Sequence, residues 1–273
     1  MQGLHDYLSV KDKVRYINAI LKVGFDTIDA GSFVSPKAIP QLKDTAEVLS
    51  KLDMSSTKSK LLVITANKRG AEEAVQFDEV SYLGFPFSIS ETFQKRNINS
   101  TSEDSLRRLD NVQNLCVKNN KKMVTYFSMA FGNPYGDEWN PEIVANWVEK
   151  LIEGAGVDIL SLSDTIGTSK PDSIKGLFEY VIPNFPEVEI GAHLHTTPDT
   201  WKEKIGAAIE SGCKRFDGAI KGFGGCPMAT DDLTGNMATE NIISYLNENN
   251  IAHGLNEKAF NDALMLSLEI FPN

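Results

Sequence analysis

Between residues 9 and 23 the apolar side chains Val10, Val14, Ile17 and Leu21 fall at the spacing of one buried helix face, with Ser9 placed to cap the first turn and Gly24 to end it. Residues 25–33 then read as a buried strand ending in Asp29-Ala30-Gly31-Ser32-Phe33, and Pro36 and Pro40 lead into a helix through Leu52. The alternation continues to the end of the chain. Strands are predicted over 60–66, 79–88, 122–130, 157–163, 188–195 and 215–220. Helices are predicted over 68–76, 102–117, from Asn140-Pro141 onward with Val144, Trp147, Val148 and Leu151 on one face, and over 171–181, 198–211, 240–247 and 257–271. The polar segment 91–100 predicts neither.

Nearly every predicted strand is apolar throughout, which implies a parallel sheet with helices outside it. No Gly-x-Gly-x-x-Gly follows the first strand, and chemically capable side chains are dispersed over many strand ends. Both features favour an α/β (β/α)8 TIM barrel over a doubly wound sheet. Without a linker or composition shift the chain reads as one domain, 1–273, with the C-terminal helices 240–271 packed on the barrel. Only seven strands are evident where such a barrel closes with eight. Residues 1–8 look like the loop after a strand, so the expectation is an N-terminally truncated barrel whose open seam favours a homo-oligomer.

Composition narrows the partners. A hydrophobic fraction of 41% and a charged fraction of 23% are those of an ordinary globular protein, and the net charge of -10 argues against a general nucleic-acid binder. No run of about 18 apolar residues marks a membrane span, and no signal-like start is present, so a cytoplasmic location is expected. The three cysteines, Cys116, Cys213 and Cys226, have no paired spacing and read as reduced thiols.

His193 and His195 leave the same face of a strand about 7 Å apart along it, close enough to grip one divalent ion. Other strand ends offer Asp29 and Ser32, Asp164, and a following loop with Cys226 and Asn236. Imidazole with amide or carboxylate suits Mg2+, Mn2+ or Zn2+, and softness does not choose among them. Each residue also has a plainer reading. Satisfied nitrogens would explain the histidine pair, Asp164 suits a turn cap before Gly167, Asp29 suits a cap or a partner for a buried cation, and Cys226 suits an inert loop thiol. Gly224-Gly225-Cys226-Pro227 nevertheless forms a loop in which a thiol could reach a substrate.

The segments Ser32-Phe33-Val34-Ser35-Pro36-Lys37, Lys95-Arg96-Asn97-Ile98-Asn99, Ser161-Leu162-Ser163-Asp164-Thr165-Ile166-Gly167, His193-x-His195, Gly224-Gly225-Cys226-Pro227 and Gly235-Asn236-x-Ala238-Thr239-Glu240 resemble, collinearly, the 3-hydroxy-3-methylglutaryl-CoA lyase family. The resemblance implies a TIM-barrel metallolyase that cleaves an acyl-CoA thioester to acetyl-CoA and acetoacetate. It implies that His193, His195 and Asn236 hold a divalent ion, Mg2+ or Mn2+ in preference to Zn2+, together with an aspartate of the first strand. It further implies proton transfer by Asp164, His193 and Cys226, substrate contact by Ser32 and Ser161, and Asp29 at the place of a glutamate that supports an arginine. The chain departs from the pattern at three places: the Arg-Asp pair of the first strand would precede Met1, Asp29 is one methylene shorter than the family's glutamate, and Thr196 replaces an aspartate. The expectation is a lyase with impaired turnover, the alternatives being a related aldol-type lyase, an acyl-CoA condensing synthase or a non-catalytic degenerate barrel.

Overall fold

The computed structural model describes Met1, residues 6–224 and residues 234–271, so Cys226 lies outside the described residues. Among the described residues the order is α1 (Val10–Leu21), β1 (Thr27–Ser32), a 3-10 turn (Pro40–Leu42), α2 (Thr45–Leu49), β2 (Lys60–Ile64), α3 (Lys68–Ala74), β3 (Val80–Ser88), α4 (Glu91–Ile98), α5 (Ser102–Lys118) and β4 (Lys122–Ser128). Then follow α6 (Pro141–Ala155), β5 (Ile159–Asp164), α7 (Pro171–Asn184), β6 (Glu189–Leu194), α8 (Trp201–Glu210), β7 (Arg215–Asp217), α9 (Thr239–Glu248) and α10 (Glu257–Ile270). The strands neighbour one another in chain order, and the β1/β2, β2/β3, β4/β5, β5/β6 and β6/β7 pairings are parallel. This is the strand-helix alternation of the TIM-barrel class.

The chain divides into two compact units, one of Met1–Gly84, Leu115–Lys122 and Ala252–Asn273, the other of Phe85–Asn114 and Met123–Ile251. In the first unit, β1 bulges between Asp29 and Gly31. A Cβ on Gly31 would stand 2.6 Å from Thr45 Oγ1, so only glycine lets α2 approach this closely. That hydroxyl accepts the Ser32 N–H at 3.0 Å. Ser32 is buried, and its own hydroxyl accepts the Val34 N–H. Asp29 is exposed, and the bulge sets it level with Leu62 as Ser32 is level with Ile64, two positions on one strand face.

The helix expected through Leu52 is two pieces, because Asp44 between them is drawn into a buried cluster. Lys13 Nζ, 1% exposed, lies 2.8 Å from Asp44 Oδ1 and also donates to the Gln41 carbonyl. Tyr7 donates to Asp44 Oδ2 at 2.6 Å, and its ring lies under the ammonium groups of Lys13 and Lys43. The hydrogen bond that the Tyr7 hydroxyl donates to that carboxylate holds its proton on and raises its pKa to about 12. Gln41 completes the cluster by accepting the Leu8 N–H and donating to the Asp6 carbonyl.

In the second unit, α6 forms as the pattern predicts: Asn140 caps it by accepting the Ile143 N–H, and Gly156 ends it in the left-handed region at φ 64°. Val144, Val148 and Leu151 are buried, and Trp147 packs on Phe87. The helix α4 was not predicted. It is capped by Ser90 and buries only Phe93 and Gln94, so two side chains in eight residues leave almost no periodic signal.

Replacing Lys13 by methionine leaves Asp44 buried beside Tyr7 without its cation. We expect Lys13→Met to lower stability by about 3 kcal/mol, read as a reduced urea midpoint at unchanged slope.

Candidate active site

Three neighbouring strands of the second unit build the site by register. Ser161 pairs with Gly191 and Ser163 with His193 between β5 and β6, while Gly191 pairs with Arg215 and His193 with Asp217 between β6 and β7. Alternation along each strand therefore sends Ser161, His193 and Asp217 to one face. Leu160, Leu162, Ala192 and Leu194 go to the other and are buried in the core. Gly191 is required beside them, since a Cβ there would meet Arg215 Cδ at 2.8 Å.

Asp217 organises that face. Ser161 Oγ donates to Asp217 Oδ2 at 2.6 Å, and the same oxygen lies 3.4 Å from His193 Nδ1. Arg215 Nε is 4.0 Å from Oδ1 and its guanidinium also meets Glu189. Burial works to raise the Asp217 pKa, but His193, Arg215 and Ser161 more than offset it and hold the carboxyl below the usual range. His193 Nδ1 is buried without a hydrogen bond, and 3.4 Å to Asp217 is an ion-pair distance that a small rotation would close. The ring stands edge-on to Tyr126, with centroids 5.5 Å apart.

His195, 3% exposed, lies with its ring centroid 5.5 Å from that of His193. Its Nδ1 is 2.8 Å from the Thr234 carbonyl, which only accepts, so Nδ1 carries the proton and Nε2 keeps a lone pair. Burial first, then the neighbouring His193, push its pKa down to about 4, and the ring is neutral at pH 7. An antiparallel bridge sets Asn236 against His195. Asn236 Nδ2 donates to the Phe223 carbonyl at 2.9 Å, which leaves its Oδ1 as an acceptor.

Two imidazoles with their Nδ1 sides turned to protein acceptors and an amide oxygen fit a hard or borderline divalent ion. Among the described residues no group of three His, Cys, Asp or Glu side chains is arranged to hold a metal, so the amide is what completes the described donor set.

The other sequence candidates fall elsewhere. Asp164 ends β5 on the face opposite His193, where its carboxylate is buried against Lys204 Nζ at 2.7 Å and accepts the Ser169 hydroxyl and N–H. Strand alternation turns it away from His193 and toward α8, although its charge still acts on His195. Ser161 is fully buried, and its hydroxyl donates a hydrogen bond to Asp217. Asp29 and Ser32 belong to the end of β1 in the first unit, and Cys226 lies outside the described residues. Sequence reasoning passed over Asp217, Arg215, Thr234 and Lys204. Asp217 alone had a usable signal, as a carboxylate at the end of an apolar strand.

Asp217→Asn keeps the shape but removes the charge facing His193. We expect Mn2+ affinity to fall about tenfold by calorimetric titration, with the circular dichroism spectrum unchanged. The His195 ring is held neutral in the fold while an exposed histidine protonates near 6.5. Its contribution to stability is therefore complete above pH 6.5 and is lost as pH falls from about 6.5 toward 4. Urea denaturation of the metal-free protein should show that decline, and His195→Gln should flatten it.

Among known proteins, the hydroxymethylglutaryl-CoA lyase of Bacillus subtilis is 34% identical over 245 residues, covering 90% of this chain and 81% of that one. The solved HMG-CoA lyase of Brucella melitensis superimposes with a TM-score of 0.91 at 29% identity, covering 100% of this chain and 95% of its own. An HMG-CoA lyase of Acinetobacter baumannii, solved with coenzyme A and 3-methylmalate, gives a TM-score of 0.88 at 27% identity, covering 96% and 85%. The sequence matches the HMGL-like family model over residues 1–266, and with these likenesses the chain belongs to the HMGL-like family.

Proposed function

We propose that the protein is a divalent-metal-dependent carbon-carbon lyase that cleaves 3-hydroxy-3-methylglutaryl-CoA to acetyl-CoA and acetoacetate, with Mg2+ or Mn2+ as its ion. The observation that carries this reading is the arrangement of His193, His195 and Asn236, each with its protein-side group turned to an acceptor and one ligand atom left over. The activity of the relatives supplies the substrate, and the donor set suits an ion that takes hydroxyl and carbonyl oxygens.

Cleavage breaks the bond between C2 and C3. The C3 hydroxyl gives up its proton to a base, for which His193 with Asp217 behind it is the candidate. The O–H bonding pair forms the ketone of acetoacetate, and the C2–C3 bonding pair becomes the enolate of acetyl-CoA, which then takes a proton at carbon. A bound divalent ion would acidify the C3 hydroxyl and neutralise charge on the oxygens around it. His193, His195 and Asn236 orient the donors. If His193 binds through Nε2, the proton it carries is the one on Nδ1, and its acceptor is Asp217 Oδ2. On the family resemblance alone, we assign the protonation of the enolate carbon to Cys226, substrate contact to Ser32 and the support of an arginine to Asp29. Asp164 we assign to holding structure, since its oxygens are already met by Lys204 and Ser169.

Incubation with 3-hydroxy-3-methylglutaryl-CoA and Mn2+ should release acetoacetate and acetyl-CoA in equal amounts, and EDTA should stop it. His193→Asn should lower kcat/KM by about 100-fold or more. Absence of acetoacetate at saturating thioester and metal would refute the assignment.

A further inference from the structure

Lys204 has no part in that chemistry and no motif marks it, yet it is 1% exposed in the first turns of α8. Its ammonium has three protons and three acceptors: Asp164 Oδ2 at 2.7 Å, the Gly167 carbonyl at 2.8 Å and the His195 carbonyl at 3.0 Å. The acceptors come from the end of β5, from the turn that follows it, and from the residue just past the end of β6. A lysine on a helix ordinarily reaches its ammonium out to water. A hydrophobic side chain of the same volume would hold α8 on the sheet at least as well as a buried ion pair does, so packing alone does not account for the charge.

A second path leads from Lys204 to the same imidazole. Gly167 stands at φ +72°, and a Cβ there would meet Thr234 Cγ2 at 2.6 Å, so the turn 164–169 packs directly on Thr234. Thr234 Oγ1 donates to the Ile166 carbonyl at 3.3 Å, and the Thr234 carbonyl meets His195 Nδ1 at 2.8 Å. The contacts close a ring: ammonium to His195 main chain, His195 ring to Thr234, Thr234 to the turn, and the turn back to the ammonium. One lysine thereby fixes both the place where His195 leaves β6 and the carbonyl that chooses its tautomer.

We propose that Lys204 is a positioning residue for His195, clamping the His195 carbonyl to the 164–169 turn so that Thr234 holds Nδ1 and Nε2 is left facing the ion site. The proposal deepens the metal reading given above and rests on it only for the role of Nε2. The ordering of the imidazole stands apart from whether an ion binds.

The test uses the full chain with 15N-labelled histidine. Lys204→Met strands the Asp164 charge and risks unfolding, so the deciding variant is the double change Asp164→Asn with Lys204→Met, which removes both buried charges together. In the wild type His195 should show a single Nδ1–H tautomer and the protein should bind Mn2+. In the double variant, with its circular dichroism retained, we expect a mixture of tautomers and an Mn2+ affinity about tenfold weaker. A double variant that keeps the single tautomer, with Mn2+ affinity within about twofold of wild type, would overturn the proposal and leave the ion pair as a packing element. Should the wild type take up no Mn2+, the metal reading fails, and the tautomer comparison still decides the role of Lys204.

Discussion

The Asp217 carboxylate, level with His193 across a parallel strand pair and bonded by Ser161 from the strand beyond, is the contact on which the rest of the site depends. It joins three strands through one oxygen. Because side chains alternate along a strand, a slip of one residue in either pairing would send His193 or Asp217 into the apolar face with Leu162 and Ala192. The burial of those aliphatic groups therefore also fixes the polar face, and the hydrophobic core sets the geometry of the imidazoles indirectly.

Among the described residues two lysines are buried, one in each compact unit, and each is met by an aspartate. Neither is explained by stability alone, since a buried ion pair is worth little against a well-packed apolar replacement. What the pairs share is that each ammonium also takes main-chain carbonyls. Lys13 ties the Gln41 carbonyl to the segment that carries Tyr7 and Leu8. Lys204 ties the ends of two strands. In both, the charge fixes a backbone position that nonpolar packing leaves free to slide.

The histidines illustrate how environment divides two like groups. His195 is enclosed and kept neutral by burial, whereas His193 is partly open and stands against a carboxylate. To a divalent ion, a donor of each kind would offer one rigid ligand and one whose basicity follows its neighbour.

The sequence by itself determined the alternation of strands and helices, the parallel α/β class, the capped helices α1 and α6, and the pairing of His193 with His195 on one strand face. These are legible because they rest on periods of about two and 3.6 residues within a single element. It did not reveal α4, whose burial is too slight to leave a pattern. Nor did it tell which way Asp164 points, that Ser161 serves Asp217, or that Lys204 lies in the core. Those were decided by the tertiary structure, because they depend on the register between strands and on carbonyls distant in sequence, and no local period carries that information.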